Sequence, residues 1–463
     1  MTHSIYRSWH RARLLLAAGM LLALAGAVRH SRLGLQVAAD PDQPGPCAVA
    51  SQVVYIGGDL ETHIHYPVDD QCQAGPRDPE RQAPYPAIAF AHGFSMFGLT
   101  NGARDNAGHG AHLASWGHVV AIPVLPDDVQ GRIDDMQEVL SYLEAEAAST
   151  SLRPESFLYQ KVDVNRLAAA GHSFGGATVL ALAVRDARIK AVVALDPVYH
   201  QGGPFPGEEP EIWDPDVEGP QISIPTCILG APASNCNSEA DYAEIYPFVG
   251  ATHKASFLIV GASHCDFSDP GNSLCDLVCG ATDAARRILI QKYMTAWLNY
   301  YLHLDVDKLT GSYEYLYGTA AGADITAGLI EQRVDTAPRG LTATGIVEAV
   351  SLRWELYAHP IIAGYNIYRR LPGQSYTDAP HARVGRTGTY SDTGLAGGQV
   401  YSYTLQSYDP AGNLHQVSPE VGAVALPGDP GHPEPPGPVP TLTPSVFMPV
   451  IVQDAPIRDA QTD

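Results

Sequence analysis

Basic residues are scarce in this chain, and charge is low overall. Only 17% of the 463 residues are charged, and 28 lysines and arginines stand against 50 aspartates and glutamates, which gives a formal net charge of −22. Proteins that bind nucleic acids or anionic membranes do so through basic patches. We therefore expect no nucleic acid or anionic membrane as a partner, and the acidic balance is more simply explained by solubility.

Long hydrophobic runs are also lacking, apart from one near the N-terminus. There an apolar stretch, residues 14–24, follows the basic side chains of Arg7, Arg11 and Arg13 and precedes the small residues 25–27. This order is typical of a secretory signal peptide, which we predict over residues 1–27. An uncleaved membrane anchor is the alternative, but an apolar run of about fifteen residues is short for a bilayer span. The sequence thus predicts an exported protein that is not an integral membrane protein.

No Cys-x-x-Cys motif occurs among the seven cysteines, so disulfides are expected rather than a metal site. Two plausible local pairs are Cys47 with Cys72 and Cys227 with Cys236. At most two of the remaining three can pair with each other, and these are Cys265, Cys275 and Cys279. Histidines 63, 65, 109 and 112 have spacings that a metal could use, but strand and helix packing explain them more simply. We expect neither a metal nor a cofactor.

Between residues 45 and 305, short apolar runs alternate with amphipathic segments, the pattern of a sheet flanked by helices. Apolar residues recur at helical spacing over 133–143 and 289–300. The continuous apolar run 192–195 suits a parallel strand that is buried on both faces. Strands are expected at residues 52–56, 62–66, 87–91, 118–124, 166–170, 191–195, 226–229 and 256–260. We predict an α/β fold with a mostly parallel central sheet, in a domain spanning residues 28–335.

Beyond residue 336 the pattern changes to period-two alternation, with Val350, Leu352 and Trp354 on one face of a candidate strand. Turn residues separate several short strands, which predicts an all-β, immunoglobulin-like sandwich over residues 336–427. The early Trp354, and Leu395 six residues before Tyr401, make this segment resemble a fibronectin type III domain. The resemblance implies that Tyr401 forms a tyrosine corner. We expect the sandwich to act as a spacer or as a binder of the substrate surface.

A Pro-rich segment, residues 428–463, follows the predicted sandwich and contains a short apolar patch at 446–452. The patch is too short to span a bilayer. A disordered tail is the simplest expectation for this composition. The alternative is attachment to the cell surface or to a substrate surface.

The most informative motif is Gly171-His172-Ser173-Phe174-Gly175-Gly176, which lies between an apolar run and a segment with helical spacing. Gly-x-Ser-x-Gly at a strand-to-helix turn is the nucleophile elbow, whose tight turn exposes the serine hydroxyl at a helix N-terminus. There the helix dipole and free N–H groups favour the negative charge that develops in acyl transfer. The motif predicts Ser173 as a catalytic nucleophile.

A serine nucleophile needs a base and an orienting acid, which in α/β hydrolases follow it in the order Ser, acid, His. His264 is the candidate base, because it follows the last apolar strand and precedes the closing helix. Asp196 is the preferred acid, since it ends the strand 191–195, where a carboxylate projects into the crevice. An acid after the next strand is the alternative, and the candidates there are Glu239 and Asp241.

The oxyanion hole should combine the amide that follows the nucleophile with one from the loop after an early strand. Phe174 supplies the first amide, and Phe94, in His92-Gly93-Phe94 after the run 87–91, is the candidate for the second. Met96 and Phe97, beside the candidate oxyanion hole, are candidates for substrate binding, although packing explains them equally well. Trp213, in the loop between Asp196 and Pro225, is a third candidate.

The elbow, the Leu195-Asp196 strand end and the loop around Ser263-His264 resemble the group II platelet-activating-factor acetylhydrolases, and the same layout is similar to chlorophyllases. In both families the acid follows the strand directly after the nucleophile helix, which favours Asp196 over Asp241. The resemblance covers roughly residues 50–305 and implies an α/β-hydrolase fold.

We therefore expect an exported serine hydrolase of carboxylic esters, acting on a small-molecule, lipid or polymeric ester such as an acetyl ester, a phospholipid or a polyester. A peptidase or amidase with the same triad is one alternative. Another, from a different class, is a surface adhesion protein with an inactive hydrolase domain, which the β-sandwich and the Pro-rich tail suggest.

Overall fold

The structure is a computed structural model that describes residues 40–68, 72, 83–95, 100–148, 156–199, 213–302, 306–356, 361–410 and 412–428. The predicted signal peptide, nearly all of the Pro-rich tail, and two candidate substrate contacts, Met96 and Phe97, lie outside the described residues. In the part that is described, no helix is long and apolar enough to cross a membrane.

A mixed nine-stranded sheet dominates the fold, with the strand order β1-β2-β4-β3-β5-β6-β7-β8-β9. The first two strands are antiparallel to their neighbours, whereas β4, β3, β5 and β6 pair in parallel. All eight predicted strands are present; the ninth, only partly buried, has no apolar run that would predict it. The strands are β1 Val49–Ile56, β2 Leu60–Pro67, β3 Tyr85–Ala91, β4 Val119–Pro123, β5 Val162–His172, β6 Ile189–Leu195, β7 Thr226–Gly230, β8 Lys254–Ile259 and β9 Ile330–Val334.

Helices follow most of these strands, and two of them bury the apolar faces that the sequence predicted. Leu140 and Leu143 in α3, and Tyr293 and Trp297 in α8, are buried. The described helices are α1 Gly102–Asp105, α2 Ala107–Ser115, α3 Val129–Ala147, α4 Phe174–Arg185, α5 Pro215–Glu218, α6 Asp241–Phe248, α7 Ser273–Cys279, α8 Ala284–Leu302, α9 Val306–Leu316 and α10 Thr319–Thr326.

The chain forms two compact units. Within the described residues, the first is drawn from residues up to Trp213 together with 229–241 and 259–329, and the second from 214–228, 242–258 and everything beyond 329. The predicted boundary at 335/336 follows chain order, whereas the second unit also draws in two earlier segments. The boundary between a catalytic domain and a β-sandwich therefore stays a prediction.

Antiparallel sheets make up the C-terminal part of the second unit. One sheet has three strands in the order β10-β11-β14, and the other has the order β13-β12-β15-β16 with β17 beside β15. Trp354 is buried and packs edge-on against Tyr365, and the Tyr401 hydroxyl accepts a hydrogen bond from the Ala396 amide at 3.1 Å. That bond has the form of a tyrosine corner. These strands are β10 Thr342–Ile346, β11 Ala349–Arg353, β12 Gly364–Arg370, β13 Ala382–Gly385, β14 Thr389–Thr393, β15 Val400–Tyr408, β16 Leu414–Val417 and β17 Val421–Val424.

The mixed α/β sheet followed by all-β sheets agrees with the predicted fold class at this level. The narrower assignments, to an α/β-hydrolase fold and to a fibronectin type III domain, stay predictions.

Three disulfides join six of the cysteines, and one predicted pair is wrong. Cys47 pairs with Cys72 as expected, but Cys236 pairs with Cys279 and Cys265 with Cys275. Cys227 is a free, fully buried thiol within β7, a strand buried along its whole length. The sheet thus keeps Cys227 from Cys236, and proximity in sequence was a poor guide to the pairing.

Candidate active site

Ser173 stands at a strained turn between β5 and α4. Its backbone has φ 58° and ψ −123°, a conformation that L-residues rarely adopt and that is found at functional sites. A Cβ atom on Gly175 would lie 2.1 Å from the Ala91 carbonyl oxygen, and one on Gly171 would lie 2.4 Å from the Gly175 carbonyl oxygen. Only glycine fits at these two positions, so the tight turn accounts for both glycines of the motif.

The loop of His264 brings its imidazole against this serine. Nε2 of His264 lies 2.9 Å from the Ser173 hydroxyl oxygen, and Nδ1 lies 2.6 Å from Oδ2 of Asp196. Because a carboxylate can only accept, Nδ1 carries the proton and Nε2 is left to accept the serine proton. The arrangement has the geometry that a general base needs to activate a hydroxyl.

Asp196 is fully buried directly after β6, and both of its oxygens are occupied. Oδ1 accepts hydrogen bonds from the Ala231 amide at 3.0 Å and from Nδ2 of Asn237 at 3.2 Å. Its backbone also has a positive φ of 38°. Together with Nδ1 of His264, these two donors fix the carboxylate beneath the imidazole. Asn237 is a member of the site that sequence reasoning missed.

The alternative acids lie elsewhere. Asp241 accepts the Tyr199 amide at 2.9 Å, and its own amide donates to the Asn237 side chain at 3.1 Å. Glu239 is exposed. The structure therefore brings Asp196, and neither of the other two, to His264.

His172, the residue before the nucleophile, packs against the His264 ring with 4.6 Å between ring centroids. Its other neighbours are the Phe267 ring, stacked at 6.2 Å, and the Ser268 hydroxyl, 2.9 Å from Nδ1. Burial, followed by the charge of a protonated His264, holds the pKa of His172 well below its usual range. His172 is thus a neutral surface against which the candidate base is packed.

Disulfides and hydrogen bonds to a buried carboxylate hold the loop that carries His264. The 3-10 turn His264–Phe267 contains the fully buried Asp266, whose carboxylate accepts the amides of Ser263 at 2.7 Å and Asp283 at 2.5 Å. The Cys265–Cys275 disulfide begins at the residue next to His264, and Cys236–Cys279 begins next to Asn237. One disulfide therefore lies next to the candidate base, and the other lies next to Asn237, which supports the acid.

The loop after β3 lies against the nucleophile. A Cβ atom on Gly93 would lie 3.1 Å from the Ser173 Cβ and 3.6 Å from its Oγ. Phe94 follows that glycine, and Phe174 opens α4 directly after the serine. Both candidate oxyanion donors are therefore within one residue of the Ser173–Gly93 contact.

The remaining candidate substrate contact, Trp213, is fully buried and meets Tyr199 edge-on at 6.2 Å between centroids. This places its ring in the core rather than on a surface open to a ligand.

One group of potential metal ligands, Cys265, Cys275 and Cys279, comes together among the described residues. Its sulfur atoms are in disulfides and therefore cannot act as thiolate ligands.

Residues 44–314 match the family described as PET hydrolase-like. The matched stretch is more than half of the chain and includes Ser173, Asp196 and His264. The chain belongs to the PET hydrolase-like family. Members of this family hydrolyse carboxylic esters, so the expected enzyme class is confirmed.

Cutinases are among the similar proteins. Cutinase 1 of Thermobifida cellulosilytica is 26% identical over 235 residues, which cover 49% of this chain and 72% of that cutinase. The cutinase of Thermobifida fusca (strain YX) is 26% identical over the same length, covering 49% of this chain and 63% of the relative. Cutinase est2 of Thermobifida alba is 28% identical over 193 residues, covering 40% and 55%. The chain thus spans between half and three quarters of the relatives it matches, and the narrower resemblance to acetylhydrolases and chlorophyllases stays a prediction.

Proposed function

We propose that this protein is a serine hydrolase of carboxylic esters in which Ser173 is the nucleophile, His264 the general base and Asp196 the orienting acid. The observation that carries the proposal is the continuous hydrogen-bonded path from the Ser173 hydroxyl through both ring nitrogens of His264 to Asp196. Family membership supports the reaction class.

In the proposed reaction, Nε2 of His264 takes the hydroxyl proton as Ser173 Oγ attacks the ester carbonyl. The Phe94 and Phe174 amides bind the oxyanion, and His264 returns the proton to the departing alcohol. Water, deprotonated by the same imidazole, then cleaves the acyl-enzyme and frees the acid. Asp196 does not take the proton; it holds the imidazole tautomer and stabilises the imidazolium.

A polyester is the proposed natural substrate, because the family is described as PET hydrolase-like and the similar proteins are cutinases. Acetyl esters and phospholipids are the narrower options that the earlier resemblance implied. Release of soluble acid from cutin and poly(ethylene terephthalate) films, compared with turnover of p-nitrophenyl acetate and a phosphatidylcholine dispersion, separates these three classes.

Ser173→Ala tests the reaction mechanism, with Ser141→Ala as a matched control. Ser141 lies in α3 and its hydroxyl donates to the Gln137 carbonyl, so its loss should leave turnover unchanged. We expect Ser173→Ala to reduce kcat on p-nitrophenyl butyrate by on the order of 10⁶-fold with unchanged thermal unfolding. Turnover near the wild-type level in a folded Ser173→Ala protein would refute the proposed mechanism.

Export is a further part of the proposal. Three disulfides suit an oxidising compartment, in line with the predicted signal peptide. N-terminal sequencing of protein recovered from the culture medium should give a chain that begins close to residue 28. Retention of the intact N-terminus inside the cell would contradict export.

A further inference from the structure

We propose that Arg132, which no sequence motif singled out, is a positioning residue for the oxyanion hole. The inference rests on the proposed function, because it concerns the geometry of the same reaction. Arg132 lies in the first turns of α3 and is fully buried. A buried guanidinium needs a specific reason, since arginine is almost never fully buried unless it is paired.

The acceptors around Arg132 are neutral. Its Nη2 donates to the His92 carbonyl, its Nη1 to the Pro126 carbonyl at 2.8 Å, and its Nε to the Thr178 hydroxyl at 3.1 Å. Among the described residues, no carboxylate lies at ion-pair distance from it. Burial lowers the pKa of Arg132 to about 9, so the side chain is still charged at neutral pH. A positive charge thus lies beside the elbow; no carboxylate is bonded to it among the described residues, but the charges of Asp127, Asp128 and Asp135 act on it.

One set of contacts joins Arg132 to the first oxyanion candidate. The His92 ring accepts the Leu125 amide at Nε2, which leaves the proton on Nδ1 to donate to the Gly93 carbonyl at 2.6 Å. Burial and the charge of Arg132 lower the pKa of His92 to about 3, which keeps the ring neutral and this tautomer intact. Because the Gly93–Phe94 peptide is planar and trans, fixing the Gly93 carbonyl also fixes the Phe94 N–H. Arg132 in turn fixes the backbone of His92.

A second set joins Arg132 to the other candidate. The guanidinium carbon lies 4.8 Å from the centroid of the Phe174 ring, a cation–π contact. The Thr178 hydroxyl, which accepts from Arg132, donates to the Phe174 carbonyl at 2.8 Å. One side chain therefore ties both segments that carry the oxyanion donors.

The test compares Arg132→Met and Arg132→Lys with Arg166→Met as the matched control. Arg166 also bonds a backbone carbonyl, that of Pro84 at 2.9 Å, but it lies early in β5, well before the elbow in that strand. Each protein is assayed for kcat and KM on p-nitrophenyl butyrate and for the Ki of butylboronic acid, which forms a tetrahedral anion on an active serine. The Ki is independent of the fraction of folded enzyme, so a purely structural role would not change it.

We expect Arg132→Met to lower kcat by about 10- to 100-fold with KM nearly unchanged, and to raise the boronate Ki by a similar factor, because the lost contacts act on the transition state. Arg132→Lys should recover part of both losses, and Arg166→Met should change neither. An unchanged boronate Ki in folded Arg132→Met overturns the inference.

If the Arg132 variants do not fold, Thr178→Val and Thr178→Ser decide the question. The valine variant keeps the shape and removes the shared hydroxyl, so a several-fold higher Ki than in the serine variant is expected, and equal values overturn the inference. A wild-type protein that neither turns over the ester nor binds the boronate would instead refute the proposed function.

Discussion

Ser173 and Asp196 are held by the central sheet, whereas His264 is held by a loop. The residues before them, His172 and Leu195, are register partners in β5 and β6, so nucleophile and acid leave the sheet at the same rung. The Ser173 amide also donates to the Leu195 carbonyl at 2.9 Å. Their separation is thus set by backbone hydrogen bonds that any parallel pair of strands would form.

His264 has no such ladder. Its 3-10 turn follows β8. It is fixed by the Cys265–Cys275 disulfide, by the hydrogen bonds that the Asp266 carboxylate accepts from two backbone amides, and by the packing of His172 against the His264 ring. Loops usually open at a lower free energy than core strands. The comparison indicates that the base depends on the disulfide beside it, whereas the nucleophile and the acid leave paired strands of the sheet.

The largest loss of kcat is expected on the strand side, where the substitution changes a member of the proposed triad. Asp196→Asn should lower kcat by on the order of 10³- to 10⁴-fold, because the amide no longer selects the Nδ1-protonated tautomer. Asp241→Asn is the control, since Asp241 bonds the Tyr199 amide and not His264. We expect it to lower kcat less than about tenfold. Steady-state kinetics on p-nitrophenyl butyrate measure kcat of both variants. Equal losses of kcat would mean that Asp196 is not the orienting acid.

An intermediate effect is expected from the disulfide beside His264. Replacing Cys265 and Cys275 together by serine should lower the free energy of unfolding by about 2–4 kcal/mol. It should also lower kcat by roughly tenfold, because a loosened loop misplaces the base. Removing Cys47–Cys72 in the same way should cost somewhat more stability, since it closes a longer loop, with a sequence separation of 25 against 10, but should leave kcat unchanged.

Urea unfolding gives the free energy of unfolding of the two double variants, and the same ester assay gives their kcat. If the two double variants lose kcat to the same degree, the disulfide at His264 has no special role in the site.

The smallest effect concerns Cys227 and sharpens the cysteine assignment. Burial raises the pKa of this thiol well above its usual range, so it should be unreactive in the folded protein. A thiol reagent such as dithionitrobenzoate should titrate no thiol in the native protein and one after unfolding without reductant. Two or more reactive thiols on unfolding would contradict the three disulfides.

Much of the strand side could be predicted from the sequence, because its signals are local. Apolar runs mark the strands, Gly171 and Gly175 mark the elbow, and Asp196 follows directly after an apolar strand. Asp196 was preferred because it ends a strand, and the resemblance to acetylhydrolases and chlorophyllases favoured it over Asp241; the structure brings Asp196 to His264.

The contacts that support the site were less predictable, because they join residues far apart in the sequence. Asn237 reaches Asp196 across 41 positions, and Cys236 pairs with Cys279 across 43. Arg132 meets the His92 carbonyl across 40 positions and has no motif of its own. The wrong prediction of a Cys227–Cys236 disulfide has the same cause, since nearness in sequence says little about which side chains a sheet buries.

Activity-based labelling tests the central claim most directly. A fluorophosphonate should form one covalent adduct, located by mass spectrometry on the peptide that contains Ser173. In His264→Ala the labelling rate should fall by on the order of 10²-fold or more, because the serine proton then has no acceptor. An adduct on another residue, or a labelling rate that does not depend on His264, would contradict the account.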